Sequence, residues 1–212
     1  MSRSILMKIS AGKISAGKAV TSDAGSGIMG AGGEMRMDTI IIYGSCYGTT
    51  KIYAEALAER MGLHAVPYDR AGDLGGYQKI IYLGGLYAGG VKGLAKTVRK
   101  VDPTACRRFA VITVGLADPE DEEYVRNIRT SAGRQIPETL REKSEFYHLR
   151  GGIDYARLNF MHRTLMKLLY DQVKKKPLED QGAETRAIIE TYGKKVDFMD
   201  MGRLDDLARR LG

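Results

Sequence analysis

The stretch Ile40-Ile41-Ile42-Tyr43-Gly44-Ser45-Cys46-Tyr47-Gly48-Thr49-Thr50-Lys51 joins an apolar run to a loop of hydroxyls and glycines, and a helical pattern follows at once. Thr39 to Tyr43 is a largely β-branched run of the kind found in a strand covered on both faces. Residues 50–61, "TKIYAEALAERM", place Ile52, Ala56 and Leu57 on one helical face, with Glu55, Glu59 and Arg60 off it. Gly62 predicts the helix end. A helix that starts directly after the loop leaves its first backbone N–H groups without internal partners, at the positive end of its dipole. Such an end receives a phosphate readily. Ser45, Tyr47, Thr49 and Thr50 add hydroxyls, while Gly44 and Gly48 let the backbone turn closely around an anion. There is no Gly-Lys-Ser/Thr, so this is not a nucleoside-triphosphate loop, and the glycine spacing also fails the dinucleotide fingerprint. The other reading is a plain turn with Thr49 or Thr50 as N-cap. The loop by itself leaves both open.

Outward from this stretch the same rhythm repeats. His64 to Pro67 predicts a second strand, and Lys79 to Leu83, "KIIYL", a third that breaks into "GGLYAGGVKG". Leu94 to Val101 predicts a helix stopped by Asp102-Pro103. Phe109 to Val114, "FAVITV", is a fourth strand ending in "GLADPED". A polar helix follows over 121–135, its acidic start "EDEE" matching the helix dipole, and Glu145 to Leu149 is a fifth strand. Strand, loop and helix in this alternation predict an α/β fold, a doubly wound parallel sheet with helices on both faces. In such sheets ligands sit beyond the carboxyl ends of the strands. The small-residue loops 44–50, 84–93 and 115–120 all follow predicted strand ends.

"SCYGTT" at 45–50 is similar to the Ser/Thr-x-Thr-Gly-x-Thr phosphate loop of flavodoxins, which also follows a first strand. Ser45, Gly48 and Thr50 match that motif, Tyr47 replaces a threonine but keeps a hydroxyl, and Thr49 falls at a variable position. The resemblance implies a flavodoxin-like sandwich, a five-stranded parallel sheet in the order 2-1-3-4-5, with FMN as cofactor. It places Ser45, Cys46, Tyr47, Gly48, Thr49 and Thr50 at the phosphate. It places Gly85, Leu86, Tyr87, Ala88 and Gly89, with Leu116, Ala117 and Asp118, beside the isoalloxazine. Tyr87 reads equally as an exposed aromatic beside a helix start, and Asp118 as the N-cap of the helix at 121. Residues 151–176 and 196–211 resemble the C-terminal part of the flavodoxin-domain family that includes menaquinone-dependent protoporphyrinogen oxidase. That resemblance implies electrons taken from a tetrapyrrole and delivered to a quinone. No residue is expected to act as a catalytic acid or base, because a flavin carries the redox chemistry itself. The alternative is a non-redox module of the same fold, holding another phosphate ligand or a protein partner.

Residues 1–36 are rich in Gly, Ser and Ala and repeat "KISAG"; they predict a disordered leader before a domain over 37–212. The formal net charge of +7 is regional. The leader holds +3, and residues 150–176 carry seven Lys and Arg against two Asp, or +5, so the remainder is −1. A nucleic-acid-binding core is therefore not indicated. Residues 153–173 carry Met161, Leu165, Leu168, Leu169 and Val173 at helical spacing among cations. That segment reads as a helix covering the sheet, as a membrane-surface contact, or as a docking site for an acidic partner. No apolar run reaches the roughly 20 residues of a membrane span. Cys46 and Cys106 show no metal-ligand spacing, which with His64, His148 and His162 far apart predicts no metal site. Two thiols suggest a reducing cytoplasm, with a peripheral position at the inner membrane face allowed by the basic segment. Cys46 reads as a small side chain beside the phosphate rather than a nucleophile.

Overall fold

The computed structural model describes residues 37–87 and 90–212. In chain order these form β1 (Met37–Gly44), α1 (Thr49–Met61), β2 (Ala65–Pro67), β3 (Tyr77–Tyr87), β4 (Gly90–Val91) and α2 (Leu94–Thr97). There follow β5 (Arg108–Gly115), α3 (Glu122–Gly133), α4 (Glu138–Arg141), β6 (Ser144–Arg150) and β7 (Gly152–Asp154). Last come α5 (Phe160–Val173), α6 (Ala183–Thr191), β8 (Lys195–Asp197) and α7 (Arg203–Leu211). The leader expected over 1–36 lies outside the described residues.

Side chains of a strand alternate between faces, so the paired isoleucines of "III" and "KII" must serve two cores. Ile42, Ile80, Tyr82, Phe109 and Val111 pack on one face against Leu94, Val98, Ala132 and Leu140. Ile41, Ile81, Leu83, Ala110 and Ile112 pack on the other against Tyr53, Leu57, Leu204, Leu207 and Leu211. The sheet is thus covered by α2, α3 and α4 on one side and by α1 and α7 on the other. Its five parallel strands run β2-β1-β3-β5-β6, the expected 2-1-3-4-5 order once the short antiparallel β4 beside β3 is set apart.

Four expectations are corrected. The third strand does not break at Gly84. It continues through Gly84 and Gly85 to Tyr87, and Leu86 and Tyr87 pair with Val91 and Gly90. Glycine fits here because a Cβ on Gly84 would collide with the Val91 side chain. The buried face of α1 is Tyr53, Ala54, Leu57 and Ala58, and Ile52 is exposed, so the helix is rotated by about one residue from the expected phase. The amphipathic segment is not helical from 153. Its first residues form β7, which pairs antiparallel with β8, and α5 begins at Phe160 behind the Asn159 cap. Finally, the stripe on α5 does not cover the sheet: Val173 is buried, while Met161 and Leu168 are exposed.

Residues 152–197 therefore make a lobe inserted between β6 and α7, in which α5 and α6 pack together. Tyr192 stacks on Tyr170 at 4.0 Å between ring centroids and meets Tyr155 edge-on. No helix among the described residues is long and apolar enough to cross a membrane.

Within the last parallel strand, His148 Nδ1 lies 2.7 Å from Thr113 Oγ1, while its Nε2 is buried without a partner. Burial, with Arg129 adding in the same direction, lowers the imidazole pKa from 6.5 to about 4. The folded state binds this proton more weakly than the unfolded chain does. The associated stability is full above the unfolded value and is lost as pH falls from 6.5 toward 4. Urea midpoints should fall across that window by an amount worth about 1–3 kcal/mol, and His148→Gln should flatten the decline.

Candidate functional site

The carboxyl ends of the parallel strands are built from glycine. Gly44 stands beside Gly84, Gly84 and Gly85 beside Thr113 and Val114, and Gly115 beside Arg150. Backbones can approach closely there. A Cβ on Gly44 would collide with the Lys92 carbonyl oxygen, and one on Gly151 would stand 2.7 Å from Val114 Cγ1 and 3.2 Å from Thr49 Cγ2.

At this edge the loop Ser45–Gly48 leads into α1. The N-cap is Gly48 in the left-handed region (φ 105°), not Thr49 or Thr50, and no side chain caps the helix. Gly48 N donates instead to Ser45 Oγ at 3.1 Å, which closes the loop on itself. Thr50 is buried at 3% exposure, its Oγ1 3.1 Å from where a Cβ on Gly85 would be. Glycine rather than threonine thus makes the turn into the helix. A φ near +105° is costly for any residue with a Cβ.

Tyr87 crosses to this loop from the end of β3. Its hydroxyl accepts the Cys46 N–H at 3.2 Å, and burial pushes its phenol pKa up. A Cβ on Gly85 would meet the Tyr87 ring at 2.8 Å, so that glycine makes room for the aromatic. Tyr87 is accordingly a strand residue locked to the loop rather than an exposed aromatic beside a helix start. Cys46 is exposed. Ala88 and Gly89 lie outside the described residues.

After β5, the loop turns under the inserted lobe. Leu116 accepts a hydrogen bond on its carbonyl from Arg150 Nε at 3.0 Å. Ala117 is buried against Ala183 and Ala187 of α6, with Leu116 and Tyr124 packed alongside. Asp118 does not cap α3. Its Oδ1 accepts from Glu120 N at 3.0 Å, and Asp121 is the cap, accepting from Tyr124 N at 2.9 Å. The acidic first turn is as expected, with Glu122 and Glu123 in it. A polar cleft lined by Asp118, Asp121, Arg150, Arg186 and Glu190 opens beside this loop rather than at the start of α1.

Three contributors, Arg150, Asn159 and His162, lie outside the site residues expected from the sequence. Tyr47 hydrogen-bonds His162 Nδ1, and its hydroxyl also accepts from Asn159 N at 3.4 Å. The His162 ring meets Tyr47 edge-on at 5.5 Å between centroids and lies near-parallel to Tyr87 at 6.0 Å. The start of α5 is thereby pinned over the Ser45–Gly48 loop. Asn159 carries a legible signal, an Asn directly before an apolar helical run. Arg150 also could have been found, since it ends the fifth parallel strand as Gly44 and Gly115 end theirs. His162 could not, because nothing local links it to Tyr47. Among the described residues, no group of three or more His, Cys, Asp or Glu could hold a metal ion.

Residues 40–180 match a family described as "Flavodoxin domain". No curated protein matches the chain. Among solved structures, a flavodoxin, WrbA-like protein from Agrobacterium tumefaciens is similar at 17% identity. The match covers 82% of this chain and 99% of that one, with a TM-score of 0.33.

Proposed function

The chain belongs to the flavodoxin-domain family, and from that membership we propose that it binds FMN and works as an oxidoreductase or electron carrier. The observation that supports this most is the start of α1, which has no side-chain cap and stands behind Gly48 among strand ends made of glycine. An N-terminus of this kind presents backbone N–H groups and a positive dipole end to a phosphate. The residues present fit that group. The amides of Tyr47, Thr49 and Thr50 with the hydroxyls of Ser45 and Thr49 would hold the phosphate, with Cys46 beside it. Tyr87, Gly85 and Leu86 at the end of β3, continued by Ala88 and Gly89, would flank the ring on one side. Leu116, Ala117 and Asp118 would flank it on the other, chiefly through backbone because Ala117 is turned into the lobe.

Bound FMN supplies the electron transfer. The chain's work is to bind, orient and shield it. The Tyr47–His162 hydrogen bond holds α5 against the loop, and the Tyr87 hydroxyl on Cys46 N fixes the aromatic at the loop's flank. The finer reading, electrons drawn from a tetrapyrrole and passed to a quinone, is supported by the resemblance of residues 151–176 and 196–211. The two cysteines are free thiols, which suits a reducing cytoplasm.

The test is direct. Purified protein titrated with FMN should quench flavin fluorescence and turn yellow, and the loaded protein should pass electrons to a soluble quinone analogue when protoporphyrinogen is supplied. A folded, colourless protein that leaves FMN fluorescence unchanged overturns the redox reading in favour of a phosphate-ligand or partner-binding module. FMN uptake without quinone reduction overturns only the finer one.

A further inference from the structure

Large apolar side chains are exposed at only four positions among the described residues: Ile52 at 46%, Phe160 at 86%, Met161 at 68% and Leu168 at 55%. Three of the four lie on α5. At 100° per residue, Phe160, Thr164, Leu168 and Met161 share the face turned away from buried Val173. Arg163, Lys167 and Lys174 run along one side of that face at helical spacing, and Lys175 and Lys176 extend the row. Lys167 and Lys174 share Asp171 at 2.7 and 2.6 Å, so part of their charge is neutralised. Arg157, Arg163, Lys175 and Lys176 make no ion pair among the described residues. The segment 150–176 holds +5, while the rest of the chain after residue 36 sums to −1.

We propose that α5 is a membrane-docking surface that lies on an anionic bilayer, with Phe160, Met161 and Leu168 entering the interface and the flanking cations meeting lipid phosphates. The pairing of exposed apolar side chains with a basic flank is what such a surface requires, because the two contributions add. An acidic protein partner would match the cations but leaves Phe160 at the helix start unaccounted for. The proposal does not depend on FMN, since none of these residues belongs to the phosphate loop.

Full-length protein is sedimented with vesicles of phosphatidylcholine alone and of phosphatidylcholine with phosphatidylglycerol in equal parts, at low and high salt. Binding to the anionic vesicles only, weakened by salt, is expected. Phe160→Ser with Leu168→Ser should weaken it at least tenfold, and Lys175→Glu with Lys176→Glu should do the same, each neutralised cation being worth about fivefold. Phe160, Leu168 and Lys175 are exposed and Lys176 is half-buried, and unchanged thermal midpoints will show that both variants fold. Failure to sediment with anionic vesicles overturns the proposal. So does equal sedimentation of wild type and both variants, or a gel-filtration dimer that Phe160→Ser with Leu168→Ser converts to monomer.

Discussion

Gly44→Ala is expected to lower the folding stability by about 3 kcal/mol, seen as a lower urea midpoint at unchanged slope. A Cβ there would collide with the Lys92 carbonyl oxygen and lie 2.7 Å from Tyr82 Oη and 2.9 Å from the Lys92 carbonyl carbon. Two of the three obstacles are backbone, and the third is a phenol fully buried between strand and helix. Tyr82 donates to that same carbonyl, so a shift that relieves the clash also weakens a buried hydrogen bond worth about 1 kcal/mol. Gly72→Ala is the control, since a Cβ at Gly72 meets nothing within 4 Å. A Gly44→Ala protein as stable as the wild type would mean that the crowding at the carboxyl end of β1 is not real.

The double change Gly48→Val with Thr50→Ala is expected to weaken FMN binding by at least tenfold, or about 1.4 kcal/mol, in a fluorescence titration. A β-branched residue at φ 105° is strained, so the loop would re-form with its amides aimed elsewhere. A Cβ at Gly48 meets nothing within 4 Å, so the effect is one of backbone conformation and not of collision. Stability will fall as well, and Gly62→Val separates the two. Gly62 also has a positive φ, 65°, with nothing within 4 Å, but it sits at the opposite end of α1. It should lose comparable stability and keep its FMN affinity. If both variants bind FMN like the wild type, the phosphate does not sit at the start of α1.

Much of this molecule was legible before its structure. The β-branched runs gave the parallel strands to within a few residues, because a strand buried on both faces must be apolar throughout. The helix expected directly after the loop does start there, at Thr49. What stayed hidden was set by distant partners. Gly84-Gly85 reads locally as a break, yet it continues β3 because Val91 and Tyr87 need the space a side chain would take. Residues 152–154 carry a helical-looking pattern, yet they pair with 195–197 across a gap that local periodicity cannot sense. The same holds for Tyr47 and His162, which are 115 residues apart. At Asp118 the sequence suggested the cap of the following helix, but the structure uses Asp121 for the helix and Asp118 for the preceding turn.

The β7–β8 ladder also bears on how the chain finds its fold. α7 must return from about 50 residues away to bury Leu204, Leu207 and Leu211 on the α1 side of the sheet. Closing so long an excursion costs chain entropy before any contact rewards it. Once Gly152 pairs with Asp197, the excursion is tied off at its neck, and only a handful of residues separate the ladder from α7. With the two-stranded clasp formed, α7 docks across a short tether, the long closure having been made by the lobe's own pairing. Ordering of 152–197 should then precede docking of α7, the reverse of its position as an embellishment on the sheet.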